Sequence, residues 1–83
     1  MLDRLTQAPA RVVGAKQVLR ALREGRLQYV YYAMDADPFV TRPVIDAAEK
    51  ANVPVLEADT MADLGKACKI DVGAAVAAAT RSL

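Results

Sequence analysis

The sequence predicts an α/β fold, a three-layer α/β/α sandwich with helices on both faces of a four-stranded mixed sheet. Stretches with the hydrophobic spacing of a helix alternate with short β-branched and aromatic runs, in the order α-β-α-β-α-β-α-β. Proline, glycine and capping residues separate most of these stretches. Such alternation is typical of a sheet covered by helices on both sides, and 83 residues suit a single domain over positions 1–83.

The first three elements are defined by their boundary residues. Residues 2–8 are expected to form a short helix that Pro9 ends, because proline cannot continue a helix. Residues 11–14 are expected to form a short strand. The next helix is expected over residues 14–24, with Gly25 in the position of a C-terminal glycine cap.

Residues 28–34 are the clearest predicted strand, because they are uncharged and rich in β-branched and aromatic side chains. Both faces of this strand are expected to be covered. Its three tyrosines are compatible with base stacking. The favoured interpretation is a core strand whose hydroxyl groups reach the periphery.

The main helix follows a turn that contains aspartate and proline. Asp37 is expected to cap a turn or helix with Pro38 in its first position. Thr41 is expected to cap the main helix, with Pro43 in the first turn, and Asn52 suits the exit from it. The expected buried stripe of this helix consists of Val44, Ile45, Ala48 and Ala51.

The last third of the chain contains two strands, a helix and a loop. Residues 53–58 are expected to form a strand, and the pair Thr60 and Asp63 has the spacing of a capping box that begins another helix. Residues 69–73 are expected to form a loop. Residues 74–80 are alanine-rich, which favours a helix by propensity. The regular alternation of elements favours a strand, and a strand is therefore predicted.

The composition excludes several classes of site. The chain has no histidine, which excludes a histidine general base and a Ser-His-Asp triad. Its single cysteine, Cys68, excludes an internal disulfide and a zinc site of the usual kind, so no cofactor and a cytoplasmic location are expected. No apolar run is long enough to cross a bilayer, so no membrane partner is expected. Cys68 is interpreted as a small core residue.

The charge is nearly balanced overall but unevenly distributed. Residues 11–26 contain five basic residues and one acidic residue, an excess of four positive charges. Residues 35–63 contain seven acidic and two basic residues, an excess of five negative charges, and the chain is basic again from Leu64. The two basic segments would form one positive face if they met in space. The alternative is ordinary solvated helix faces.

The segment from Gly14 to Arg20 combines a permissive backbone position with a basic helix start. Gly14 lets a large partner come close to the backbone, and a helix N-terminus attracts anions. Lys16, Arg20 and Arg23 fall on one face, with Gln17 beside them, and this face suits RNA. The expected buried stripe on the other side consists of Ala15, Val18, Leu19 and Leu22.

Three stretches together resemble a known family. They are residues 14–20, residues 35–38 with the sequence Asp-Ala-Asp-Pro, and residues 64–75. In order and spacing they resemble the kink-turn-binding ribosomal proteins of the large subunit, of the seven-Ae and thirty-e types, and most of all the short bacterial seven-Ae-like homologues. The resemblance covers nearly the whole chain. It implies a non-catalytic, monomeric RNA-binding protein associated with the ribosome or with another structured RNA.

The resemblance also implies roles for residues at the start of the second helix. A kink-turn is a sharply bent RNA built on tandem sheared G·A pairs, and Gly14 and Ala15 would approach it closely. Lys16 would donate to guanine O6 and N7, Gln17 would bond to a guanine Watson–Crick edge, and Arg20 would contact base edges or phosphate. Many family members have Asn-Glu where this chain has Lys-Gln, the pair seen in the thirty-e branch and in the bacterial homologues.

A second contact is implied in the loop near residue 71. In the family, the loop that matches Ile70, Asp71 and Val72 covers bases and sugars at the flipped-out part of the kink. Lys66 and Lys69 lie near enough in sequence to pair with phosphates. The Asp-Ala-Asp-Pro stretch is structural in this interpretation.

Two alternatives belong to other classes of function. One is a protein-interaction module on the same fold, whose docking surface is the acidic stretch 35–63. The other is a small enzyme that uses the carboxylates of Asp35 and Asp37, which is disfavoured without histidine or a glycine-rich phosphate loop.

Overall fold

Helices and strands alternate along the chain in the predicted order. A computed structural model describes residues 2–8 and 10–81, and within them four helices and four strands occur. The elements are α1 (Asp3–Thr6), β1 (Arg11–Val13), α2 (Ala15–Arg23), β2 (Leu27–Ala33), α3 (Pro38–Lys50), β3 (Val55–Ala58), α4 (Met61–Ala67) and β4 (Val76–Thr80). None of these helices is both long and apolar enough to cross a membrane.

The four strands form one mixed sheet in the order β1-β4-β2-β3. The last strand in sequence, β4, pairs antiparallel with both β1 and β2, and Ala78 lies opposite Val12 on one side and Val30 on the other. The β2–β3 pair is parallel, and α3 forms the crossover connection that parallel neighbouring strands need. The predicted four-stranded mixed sheet is confirmed.

The sheet separates two hydrophobic layers, which confirms the three-layer sandwich. One layer lies between the sheet and α1 and α4, and includes Leu5, Tyr29, Tyr31, Leu64, Cys68, Ala77 and Ala79. The other lies between the sheet and α2 and α3, and includes Val18, Leu22, Val30, Val44, Ala48, Val76 and Ala78. The residues of β4 alternate between the layers, and its small side chains let helices approach from both sides.

The tyrosines of β2 confirm the core interpretation. Tyr29 and Tyr31 are buried, and their rings meet edge to face with centroids 5.8 Å apart. The guanidinium carbon of Arg4 lies 4.3 Å from the centre of the Tyr29 ring. Tyr32 is on the opposite face, where its hydroxyl donates to Glu57 Oε2 at 2.9 Å and the pKa of Tyr32 is raised by that bond. Two of the three rings are therefore covered by the protein itself.

The start of α3 differs from the prediction. The helix begins at Pro38, and the carboxylate of Asp37 accepts a hydrogen bond from the Phe39 amide at 2.9 Å. Thr41, the predicted cap, is buried inside the helix, and Pro43 is also internal. The prediction for Thr41 was wrong because Asp37 with Pro38 is already a complete helix start, so no second cap is needed.

Other boundaries differ in smaller ways. The first helix is shorter than residues 2–8, and Pro9, its predicted stop, lies outside the described residues. Ala51 follows the end of α3 and is exposed, so it is not part of the buried stripe. Asn52 leaves the helix with a positive φ of 58°, which confirms its predicted place.

Candidate nucleic-acid interface

Helix α2 is preceded by a glycine with a backbone conformation that other residues rarely adopt. Gly14 has φ 97° and ψ 146°, a combination that is essentially restricted to glycine. Its N–H donates to the Val76 carbonyl at 3.0 Å, and its own carbonyl accepts from the Val18 amide at 3.0 Å. Gly14 therefore connects the first residue of β4 to the first turn of α2. It supplies no capping side chain, so the N-terminal amides of α2 receive no side-chain cap.

The residues of α2 divide into a buried and an exposed face. Val18, Ala21 and Leu22 are buried, whereas the predicted stripe members Ala15 and Leu19 are half-buried. The exposed side chains border an open depression of about 360 Å³, lined by Lys16, Gln17, Arg20, Arg23 and Glu24. The basic and amide side chains that the sequence placed on this helix are thus together on one surface, here called the α2 surface.

One carboxylate lies within the α2 surface. Glu24 accepts a hydrogen bond from Arg26 Nε at 2.6 Å, and its other oxygen is 3.6 Å from Arg20 Nε. The Arg26 bond, with the neighbouring charge of Arg20, lowers the pKa of Glu24. The sequence had shown Glu24 only as one negative charge among five positive ones, because a charge count does not indicate which side chains meet.

The predicted second contact is a loop that folds back on α4. Its backbone is fixed by two hydrogen bonds, from the Ile70 amide to the Gly65 carbonyl at 3.1 Å and from the Ala74 amide to the Met61 carbonyl at 3.0 Å. Gly65 is buried, and a Cβ there would overlap the carbonyl oxygen of Val72. The absence of a side chain at this helix position is therefore what lets the loop lie against α4.

The loop side chains have different surroundings. Val72 is 69% exposed and Asp71 and Lys69 are also exposed, so all three are accessible to a ligand. Ile70 is half-buried and packs against the core beneath α4. The turn after α4 thus directs Ile70 inward and leaves Val72 outside the chain's own core.

The start of α2 and the end of the loop both adjoin the first residue of β4. The loop leads directly into β4, whose first residue, Val76, accepts a hydrogen bond from the Gly14 N–H.

Lys66 lies away from this junction. It lines a separate hollow on the other face of the sheet, whose acidic members are Asp3, Glu57, Asp59 and Asp63. Lys66 is therefore the predicted site residue with the least favourable surroundings for a phosphate.

The two carboxylates of the Asp-Ala-Asp-Pro stretch bond to backbone amides. Asp35 Oδ1 accepts from the Met61 amide at 2.8 Å, at the start of α4, and Asp37 caps α3. Both therefore position helix starts, which supports the structural interpretation.

In the part of the chain that the structure describes, no group of three or more potential ligands is placed to bind a metal ion. Cys68 is buried, which raises the pKa of its thiol.

Exposed apolar side chains near the loop were not predicted from the sequence. Met61, at the first position of α4, is 36% exposed, whereas Leu64 one turn later is buried. Met61 lies against Gly73 of the loop, where an added Cβ would be 3.0 Å from the Met61 Cβ. Met34, the residue after β2, is also exposed. The positions of Met61 and Met34 at element ends were the available signal, since end residues are less completely covered.

Sequence comparison gives relatives of nearly the same length. The chain is 52% identical over 79 residues to an RNA-binding protein of Geobacillus sp. (strain WCH70), covering 95% of this chain and 96% of that protein. It is 49% identical over 79 residues to RNA-binding protein YbxF of Geobacillus stearothermophilus, with the same coverage.

Structural comparison gives the same fold. The 15.5kD RNA binding protein of Giardia lamblia matches with a TM-score of 0.86 and 27% identity, over 98% of this chain and 68% of that one. A protein of unknown function from Bacillus halodurans C matches with a TM-score of 0.83 and 21% identity, over 98% of this chain and 81% of that one. The family model described as Ribosomal protein L7Ae/L30e/S12e/Gadd45 family matches residues 2–82. The chain belongs to this family.

Proposed function

We propose that this protein is a non-catalytic RNA-binding protein that recognises kink-turns, through the α2 surface and the loop after α4. The observation on which the proposal rests most is the backbone of Gly14, which joins an uncapped helix start to the first residue of β4, the strand into which the loop leads. The names of the Geobacillus and Giardia relatives, all RNA-binding proteins, support an RNA ligand.

The exposed side chains of α2 have the chemistry that guanine recognition requires. Lys16 and Arg20 are donors, which suit guanine O6 and N7, and Gln17 offers both a donor and an acceptor to a base edge. A regular RNA duplex has a major groove too deep and narrow for these side chains to enter. An RNA that is sharply bent at G·A pairs is therefore the proposed ligand rather than a plain duplex.

The loop supplies an apolar contact next to this polar one. Val72 is exposed on a backbone that is braced against α4, so it offers a rigid apolar surface to an unpaired base or a sugar. Lys69 is exposed beside it and is proposed to pair with a phosphate. Lys66, among acidic side chains, is expected to contribute less.

The test is binding to a matched pair of RNAs. A kink-turn RNA and the same RNA with its G·A pairs replaced by Watson–Crick pairs are titrated with the protein in a gel-shift experiment. Tight binding to the first and little binding to the second is expected. Equal affinity for the two RNAs would overturn the proposal.

The natural target is a separate question with its own measurement. A ribosomal location in the cytoplasm, with the protein acting as a monomer, is part of the proposal. Sequencing of RNA crosslinked to the protein in cells is expected to recover ribosomal RNA. Recovery of kink-turns from other structured RNAs alone would remove the ribosome from the proposal and leave kink-turn recognition intact.

One observation favours the alternative of a protein-interaction module. Phe39, at the start of α3, is 91% exposed, and with Pro38, Arg42, Pro43 and Asp46 it lines a mostly apolar groove within the acidic segment. A partner protein that binds there should be captured equally well before and after nuclease treatment, and the capture should be lost in Phe39→Ser. RNA-dependent capture would count against this alternative.

A further inference from the structure

Glu24 occupies an unusual position in the α2 surface. It is the one acidic residue in the segment 11–26, and it lies just past the C-terminal end of α2. A carboxylate is unfavourable there, because the helix dipole places partial negative charge at that end. Its contacts with Arg20 and Arg26 are the interactions that compensate for this placement.

The two contacts differ in length and therefore in strength. Arg26 Nε lies 2.6 Å from Glu24 Oε1, which is a short charge-assisted hydrogen bond. Arg20 Nε lies 3.6 Å from Glu24 Oε2, which is an ion pair longer than a hydrogen bond. Arg26 thus anchors the carboxylate, and the carboxylate restrains Arg20 loosely from its Nε side. The terminal nitrogens of Arg20 are the groups left to meet a ligand.

We propose that Glu24 sets the selectivity of the α2 surface, by opposing phosphates that approach it and by orienting Arg20 toward base edges. This inference rests on the proposed function. Phosphate contacts supply most sequence-independent binding, whereas base contacts supply specificity. A fixed negative charge among Lys16, Arg20 and Arg23 therefore weakens attraction to any RNA backbone. A ligand that offers guanine acceptors to Arg20 compensates for this weaker attraction with hydrogen bonds to its bases, whereas a plain duplex does not.

The chain contains a matched control for this carboxylate. Arg42 and Asp46 of α3 also form an exposed ion pair between an arginine and an acid four residues later, with Nε and Oδ1 3.3 Å apart. They line the Phe39 groove and not the α2 surface. Glu24→Gln and Asp46→Asn each remove one negative charge, so the two variants have the same net charge.

The experiment measures the affinity of the wild type and both variants for the kink-turn RNA and for the Watson–Crick duplex, at several salt concentrations. Glu24→Gln is expected to bind the duplex about two- to five-fold more tightly, as the loss of an exposed charge interaction allows. Its affinity for the kink-turn should stay the same or fall, so the ratio of the two affinities decreases. The slope of the logarithm of duplex affinity against the logarithm of salt concentration should become steeper by roughly one, because about one more counterion is released on binding.

Each outcome bears on the inference. A lowered ratio in Glu24→Gln together with a wild-type ratio in Asp46→Asn supports it. An unchanged ratio in Glu24→Gln, or an equal change in both variants, overturns it and leaves kink-turn recognition standing. A wild type without preference for the kink-turn overturns the proposed function and this inference together. Circular dichroism melting of both variants verifies that the fold is intact.

Discussion

The two parts of the candidate interface are built in opposite ways. On the α2 surface, chemistry lies in exposed side chains such as Lys16 and Gln17, which the structure does not use for packing. In the loop after α4, the position of the exposed Val72 depends on backbone that lies against Gly65. On the α2 surface, the residues proposed for recognition contribute little to stability, whereas in the loop after α4 recognition and stability depend on the same backbone contacts. Substitutions in the two regions should therefore fail in different ways.

The strongest test of this comparison is Gly65→Ala. The added methyl group would overlap the Val72 carbonyl oxygen and come within 3.1 Å of its carbonyl carbon, so the loop or α4 must move. We expect a loss of about 3 kcal/mol in the free energy of unfolding, the upper part of the usual cost of overpacking. Urea denaturation measures it.

Gly73→Ala is the control for that substitution. Its Cβ would be 3.0 Å from the Cβ of Met61, a tight contact that a small shift relieves, so its cost should be clearly smaller. Equal stability of Gly65→Ala and the wild type would show that the loop is not braced by the helix.

The second test concerns the junction between the two regions. Gly14→Ala meets no atom within 4 Å, so its whole effect comes from the glycine-only backbone conformation. We expect a loss of about 2 kcal/mol in unfolding free energy, the usual size of such strain. If the backbone relaxes instead, the Gly14–Val76 hydrogen bond breaks and RNA affinity falls. A variant with wild-type stability and affinity would contradict both expectations.

Gly25→Asn is the matched control for Gly14→Ala. A Cβ at Gly25 would also meet no atom within 4 Å, and the φ of Gly25 is positive, at 69°. Its conformation is in the left-handed helical region, which asparagine tolerates. Its cost in unfolding free energy should be well below that of Gly14→Ala.

The third test addresses recognition alone. Gln17→Ala and Arg20→Ala remove exposed side chains, so each should leave the unfolding free energy within roughly 0.5 kcal/mol. Each should weaken kink-turn binding by about 1–2 kcal/mol if the side chain contacts a base. Isothermal titration calorimetry measures the affinity, with Arg42→Ala on α3 as the control for loss of an exposed arginine. Unchanged affinity would remove the residue concerned from the site.

The smallest expected effect is that of Val72→Ala. The side chain is mostly exposed, so its truncation should cost little stability, and the loss of one apolar contact should weaken kink-turn binding by about 0.5–1 kcal/mol. Val40→Ala, on the partly exposed start of α3, is the control. A large loss of stability in Val72→Ala would mean that the loop side chain, and not only its backbone, is part of the core.

The fold was largely predictable because its signals are local. The alternating hydrophobic periodicity depends on a few neighbouring residues. The same is true of the cap at Thr60, whose hydroxyl accepts from the Asp63 amide, and of the end of α3 at Asn52. The strand β4 required more. Alanine by itself favours a helix, and only the alternation of elements indicated that the segment would pair on both sides within a sheet.

The site was less predictable because it depends on contacts between distant segments. The sequence indicated the residue types on α2, but it did not indicate that Glu24 lies between Arg20 and Arg26. The closeness of Gly65 to Val72 and the burial of Ile70 follow from how the turn after α4 closes. The acidic hollow around Lys66 is formed by α1, β3 and α4 together, so no single stretch of sequence indicates it.

The position of β4 has a consequence for how the protein is made. It is synthesised after β1 and β2, yet it lies between them, so β1 has no partner strand in the sheet until β4 is inserted. Such non-local pairing slows folding. The Gly14–Val76 bond also awaits this step. The nascent chain should therefore be unable to engage RNA until its sheet is complete, which prevents a half-made protein from occupying its target.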